Sequence, residues 1–262
     1  MLSRLSRVSI AGLLLGAVVG TASGQAPAEA ARWGTLKGRV VFRGKPPGRN
    51  LLFHRGEVPP GRDGALILGG EPLFDEWWVV DSKSRGVKNV LVYLPGPTAV
   101  RDSAREAAMK AVPTFVLASG RFDPHVLVVM AGSKVDVRSL DPVSYHISAG
   151  SANTSINHVL QPFEARVFPV GAAEKNRIGV RDDLHPWMRA YWYVADNPYF
   201  AVTDAEGRFE IKDVPAGPQT VLVWHEAVGW VSANGSTGEE VAIVGGGATE
   251  RDFTIEEERL RL

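Results

Sequence analysis

The sequence predicts an all-β protein of two modules, and three observations support this. From Phe115 onward, short runs of β-branched and aromatic residues alternate with turn residues about every ten positions. Glycine (28) and proline (17) are abundant, as a fold with many turns requires. Helix formers run without interruption only over residues 100–112, where Pro113 ends them. This pattern favours sandwiches or barrels over βαβ units.

The first 24 residues have the pattern of a secretory signal peptide. Arg4 and Arg7 precede an apolar run at 8–20, and small residues follow at 21–24. The apolar run is shorter than the roughly 20 residues that span a bilayer. We therefore expect an exported mature chain, periplasmic or secreted, with no transmembrane span. A retained N-terminal anchor is the alternative.

Composition excludes several classes of function. The chain has 29 basic and 29 acidic residues, so no net field attracts nucleic acid. It has no cysteine, which removes disulfides and every thiolate chemistry, including blue copper and cysteine nucleophiles. No Gly-x-Ser-x-Gly elbow is present, and the scattered Ser, His and Asp residues do not form a triad pattern. We predict that the protein is not an enzyme.

Residues 25–114 are expected to contain the N-terminal strands, a long loop and a short helix. The strand candidates are 35–43, 77–80 and 87–94, and the region 51–75 lacks a clear period. The strand candidates of the remaining chain are 115–118, 124–131, 134–138, 164–170, 177–181, 190–195, 199–203, 207–212, 219–224, 240–244 and 250–255.

Two stretches carry a resemblance to a family. Residues 122–132 read F-D-P-H-V-L-V-V-M-A-G, and residues 182–191 read D-D-L-H-P-W-M-R-A-Y. They resemble the F-x-P-H-V and C-D-x-H-P-W-M motifs of exported bacterial plastocyanin-like proteins, including the methylamine-utilisation type. The resemblance implies a cupredoxin-like Greek-key β-sandwich over residues 115–196.

The C-terminal part resembles a second family. Residues 197–209 (N-P-Y-F-A-V-T-D-A-E-G-R-F), followed by V-P-A-G and V-W-H-E, look like the carboxypeptidase regulatory-like module. That resemblance implies an additional small β-sandwich of the carbohydrate-binding-like or rhamnogalacturonan-lyase-accessory type, over residues 197–262 with a charged tail.

The cupredoxin resemblance also implies four metal-ligand positions. Asp182 stands where the family has cysteine, and His185 and Met188 match the second histidine and the axial methionine. The family's D-P-x-x-H-N turn, aligned without a gap, puts Tyr145 on the first ligand position and His146 one step later. In a strand, one step turns a side chain to the opposite face. A one-residue bulge would restore His146 to the site.

Three functions are compatible with this sequence. The first is an exported non-enzymatic binding or structural protein without a redox cofactor, whose partner at the cell envelope is a protein or a glycan. The second is a periplasmic Cu- or Zn-binding or electron-transfer protein, because carboxylate and imidazole suit Cu(II) and Zn(II). Its candidate metal ligands are His146, Asp182, His185 and Met188. The third is a carbohydrate-binding accessory protein acting through exposed aromatic rings, for which Trp77, Trp78 and Trp230 are the candidates.

Overall fold

The computed structural model describes residues 32–57, 63, 69 and 71–260, and the predicted signal peptide lies outside them. The described part contains one α-helix, α1 (Asp102–Lys110), and the strands β1 (Trp33–Arg43), β2 (Leu51–Phe53), β3 (Leu73–Phe74), β4 (Leu91–Tyr93), β5 (Thr114–Ala118), β6 (Arg121–Asp123), β7 (Val126–Met130), β8 (Lys134–Ser139), β9 (Tyr145–Gly150), β10 (Ser155–Leu160), β11 (Ala165–Pro169), β12 (Ile178–Asp182), β13 (Arg189–Ala195), β14 (Phe200–Val202), β15 (Arg208–Pro215), β16 (Gly217–His225), β17 (Gly229–Trp230), β18 (Glu239–Ile243), β19 (Ala248–Glu250) and β20 (Phe253–Glu256). The prediction of an all-β protein is confirmed.

The first sandwich is built from the middle of the chain. One sheet has the order β10-β9-β12-β13-β7, and the facing sheet has the order β11-β8-β5-β6. Alternation of side chains explains their packing: in β12, Ile178, Val180 and Asp182 point inward, whereas the two residues between them are exposed. Trp192 and Phe115 meet at the centre of this core, both with 0% exposure.

The second sandwich is built from both ends of the described chain. One sheet has β1 at its centre, between β15 on one side and β19 and β20 on the other. The facing sheet contains β14, β4, β16 and β17, with β18 on the far part of β16. β1 changes partner from β19 to β20 near Gly38, where a Cβ would lie 1.9 Å from the Arg251 carbonyl oxygen. A glycine is therefore required at that crossing.

The structure groups the strands differently from the sequence-based division. Residues 25–114 and 197–262 were assigned to separate units, yet β1 pairs with β15 and β20, and β4 pairs with β14 and β16. The apolar faces of β1 and β4 pack in one core with those of the C-terminal strands. The first sandwich is thus inserted between β4 and β14.

Several elements differ from their predicted bounds. β9 and β10 were not among the strand candidates, because polar residues interrupt their apolar pattern. Of the predicted strand 77–80, residues 77 and 78 form a bend and Val80 makes an isolated antiparallel bridge with Val87, and the predicted loop at 51–75 contains the β2–β3 pair. Helix α1 buries none of its side chains. In the described residues, no helix combines the length and the apolar character that crossing a membrane demands.

The two sandwiches pack against each other through aromatic side chains, a surface that we call the inter-sandwich interface. Tyr93 of β4 and Tyr193 of β13 lie with their ring centroids 4.7 Å apart. Arg177 inserts its guanidinium between Trp224 and Trp230, 4.4 Å and 4.7 Å from their ring centroids. Burial lowers the pKa of Arg177. This interface brings the loops of both sandwiches together at one edge.

Candidate functional site

His146 does not join the other predicted ligands. Strand β9 pairs with β10 and β12 in continuous register, so it has no bulge at this point. Tyr145 therefore points into the core with 0% exposure, and His146 points to the outer face. Its Nε2 lies against the side-chain oxygen of Asn157 on β10. Of the two alternatives left open by the sequence, the regular strand is the one observed.

Asp182 ends β12 and closes the turn that follows it. Its Oδ1 accepts the backbone N–H groups of Leu184 at 2.7 Å, His185 at 3.1 Å and His146 at 3.3 Å. Its Oδ2 lies 3.1 Å from Nδ1 of His185. Aspartate commonly holds turns in this way, because its short side chain reaches backbone N–H groups two and three residues later. The carboxylate is fully committed to the turn.

His185 is enclosed by aromatic rings. It is 4% exposed, and its ring lies edge-on to Tyr145 at 5.1 Å and to Trp187 at 5.3 Å between centroids. Trp187 is fixed by a hydrogen bond from Nε1 to the Gly120 carbonyl at 3.1 Å and by an edge contact with Phe53 at 5.1 Å. The β2–β3 pair thus helps to cover the segment 182–188, which we call the 182–188 corner.

Met188 belongs to the hydrophobic core of the first sandwich and is 1% exposed. Its backbone N–H donates to the His185 carbonyl at 2.9 Å, which tightens the corner. The structure therefore brings Asp182 and His185 into contact, keeps Met188 in the same turn, and leaves His146 outside.

The position that the family alignment gives to the first histidine is held by Tyr145. Its hydroxyl donates to a carboxylate oxygen of Asp141. Burial, and next that hydrogen bond, raise the pKa of Tyr145, so the phenol stays protonated at neutral pH. A blue-copper centre needs two imidazoles and a thiolate. The corner supplies one imidazole and one carboxylate, and no group of three or more His, Cys, Asp or Glu side chains suited to a metal occurs in the described residues.

A cavity of about 360 Å³ lies beside the corner, where the two sandwiches meet. Nε2 of His125 pairs there with the Glu226 carboxylate, and these side chains are only 5% and 8% exposed. Burial and the Glu226 carboxylate raise the pKa of Tyr191, which also lines the cavity. His125 directly precedes β7 of the first sandwich, and Glu226 directly follows β16 of the second, so each sandwich contributes one partner.

The sequence analysis did not identify this cavity. Its walls come from five separate stretches of the chain, and no local motif links them. Alternation along a strand predicts that of His225 and Glu226 one is buried and the other exposed. Both are buried: His225 points into the second sandwich with 0% exposure, where burial lowers its pKa to about 3, and the Glu226 side chain is 8% exposed at the cavity.

Comparison with known proteins adds little beyond a partial likeness to cupredoxins. No family model matches the sequence, and no curated protein matches it. A Cu-containing nitrite reductase from Thermus scotoductus SA-01 is 14% identical, with 32% of this chain and 22% of that chain covered and a TM-score of 0.30.

Two shorter solved structures give similar values. An oxidized amicyanin mutant is 14% identical over 39% of this chain and 97% of its own, with a TM-score of 0.29. A purple cupredoxin from Nitrosopumilus maritimus is 18% identical over 32% of this chain and 99% of its own, with a TM-score of 0.26. The chain thus spans about a fifth of the reductase and nearly all of the two small proteins.

Proposed function

We propose that this chain is an exported, non-enzymatic binding protein of the cell envelope, in which the 182–188 corner stabilises a cupredoxin-like sandwich and holds no redox copper. The observation that carries the proposal is the side chain of Asp182. Where a copper protein would present a thiolate, this carboxylate accepts three backbone N–H groups and contacts the His185 ring.

Energetics favour this interpretation. A metal that recruited Asp182 and His185 would compete with hydrogen bonds inside the corner, and each buried donor left without a partner costs about 1–3 kcal/mol. Two ligands would give only a low affinity for the metal, since protein sites for Cu(II) or Zn(II) use at least three side chains. The corner is already complete with its own partners.

We further propose that the strands from residue 197 onward, together with β1 and β4, form the regulatory-like module. The pairing of β4 with β16 and the 0% exposure of Val92 and Val223 support a single core there. Together with the first sandwich, such a module would form the surface that binds the protein or glycan partner.

A Cu(II)- or Zn(II)-binding function is the second candidate. It is favoured by the contact of Asp182 with His185 and by the position of Asp183, whose Oδ2 lies 3.8 Å from Nδ1 of His146 on the outer face. These are two separate carboxylate–imidazole pairs, each with fewer ligands than a tight site requires.

Copper titration of the mature protein, followed by absorption and electron paramagnetic resonance, separates the two candidates. We expect no intense thiolate absorption and no stoichiometric Cu(II) signal that depends on His185. A tight stoichiometric signal that is lost in His185→Ala or in His146→Ala would overturn the proposal. His54→Ala is the matched control, because its exposed imidazole belongs to neither pair and reports adventitious Cu(II).

A further inference from the structure

The cavity between the two sandwiches, which we call the junction cavity, is bounded by aromatic rings from both of them. Trp77 packs on the core of the second sandwich, and Trp187 packs on the core of the first. Both rings are partly exposed, and both line the cavity, as does Tyr191 of the inter-sandwich interface. Aromatic residues of both sandwiches therefore line a single space of about 360 Å³, within the roughly 300–1,000 Å³ of small-molecule sites.

The cavity is lined by charged residues of both signs. Outside the His125–Glu226 pair, these are Asp75, Glu76, Arg121 and Arg189, and the Glu76 carboxylate lies 3.7 Å from Nζ of Lys88. The Nε of Arg121 is buried and has no hydrogen-bond partner in the described part of the chain. The cavity thus offers both hydrogen-bond acceptors and hydrogen-bond donors.

Hydrogen bonds within the protein hold part of the cavity wall before any ligand arrives. Asp75 Oδ1 accepts the backbone N–H of Trp77 at 2.9 Å, and Nε1 of Trp187 donates to the Gly120 carbonyl at 3.1 Å. The backbone N–H of Tyr191 donates to the His125 carbonyl at 2.9 Å. A pre-positioned wall loses little entropy on binding, which favours recognition of a small ligand.

From this geometry we propose that the junction cavity binds a saccharide of one or two rings. The inference rests on the proposed binding function and names its ligand class. Sugar hydroxyls donate to carboxylates and accept from guanidiniums, and the C–H faces of a sugar ring pack on aromatic rings. An apolar ligand would bury the charged groups unpaired, which is strongly unfavourable. A simple ion would meet side chains of both charge signs in the same space.

The test is a panel of neutral and uronic-acid-containing mono- and disaccharides, screened against the mature chain by saturation-transfer NMR and quantified by calorimetry. We expect at least one saccharide to bind. Removing the ring in Trp77→Ala is expected to weaken binding about tenfold, the equivalent of about 1.4 kcal/mol. Arg189→Gln tests the exposed rim of the cavity without removing core packing. Phe163→Ala, an aromatic ring that is 65% exposed and does not line the cavity, is the matched control.

The outcomes are distinct. Binding that weakens at least severalfold in Trp77→Ala or Arg189→Gln, and that is unchanged in Phe163→Ala, supports the site. If Trp77→Ala does not fold, Arg189→Gln decides. Absence of binding across the panel, or binding unaffected by either variant, overturns the saccharide proposal. The proposed function then stands with a protein partner, whereas a His185-dependent copper signal would overturn that function whatever the saccharide result.

Discussion

Replacing Asp182 tests whether the 182–188 corner is structural. Asp182→Ala removes the acceptor of three backbone N–H groups, those of His146, Leu184 and His185, and the partner of the His185 imidazole. Asp182→Asn keeps one side-chain oxygen for the backbone and changes only the atom that faces Nδ1 of His185. The two variants therefore differ mainly in whether the turn retains its acceptor.

The structure gives the expected magnitudes. The N–H and the imidazole of His185 are buried, and each lost partner there costs about 1–3 kcal/mol. The half-buried bonds to Leu184 and His146 add about 0.5–1.5 kcal/mol each. We expect Asp182→Ala to lower the free energy of unfolding by about 3–9 kcal/mol. Asp182→Asn should lower it by about 1 kcal/mol, since a neutral imidazole can accept from the amide at Nδ1.

Urea unfolding followed by tryptophan fluorescence measures these differences. For a chain of this size, each kcal/mol corresponds to about 2–4 °C in Tm, so Asp182→Ala should also melt about 6–36 °C lower. Asp183→Ala is the neighbouring control: its ion pair with Arg181 is solvent-exposed and is worth at most about 1 kcal/mol. If Asp182→Ala is no more destabilising than Asp183→Ala, the corner is not held together by the carboxylate and our reasoning fails.

Two further predictions concern the second sandwich and its interface. Burial, reinforced by the His125 charge, lowers the pKa of His225 to about 3 from the usual 6.5. The unfolded chain therefore binds a proton below about pH 6.5 that the folded chain rejects, and stability falls with pH from about 6.5 toward 3. At pH 4 the loss of unfolding free energy is about 3 kcal/mol. His225→Asn should remove this part of the pH dependence, which is measured as the difference in unfolding free energy between pH 4 and pH 7. An unchanged difference in the variant contradicts the prediction. Arg177→Ala should lower the free energy of unfolding by about 1–3 kcal/mol, because two ring contacts are lost, and Arg177→Lys should recover only part of it; a loss under about 0.5 kcal/mol argues against the stacked geometry.

Local patterns in the sequence were sufficient for much of the first sandwich. The continuous apolar run of β7, the alternation in β12 and the turn residues between strands predict those elements to within two residues. If Tyr145 and His146 lie in one regular strand, alternation alone predicts that their side chains point to opposite faces of the sheet. What the sequence left open was whether a bulge intervenes, because a bulge depends on the pairing with β10 and β12.

The second sandwich could not be assembled from the sequence, because its pairings join the two ends of the chain. β1 and β15 lie more than 160 residues apart, and no turn motif specifies that they meet. The β2–β3 pair is also not predicted, because its strands are too short to show a period. Its Leu73 is buried by packing into the core of the first sandwich, far along the chain. Both outcomes depend on long-range burial, which a local period does not encode.

The insertion of one sandwich into the other explains why the cavity lies where it does. The chain leaves the second sandwich after β4 and returns to it at β14, so the two connections and the inter-sandwich interface fix the relative position of the modules. The His125–Glu226 pair lies at the same junction. Removing either partner of such a buried pair destabilises the protein, because the other partner is left buried without its counterpart. A ligand in the cavity would touch residues from both sandwiches and would bind only when they are docked. Ligand binding should therefore stabilise the interface itself, by mass action on the docked state.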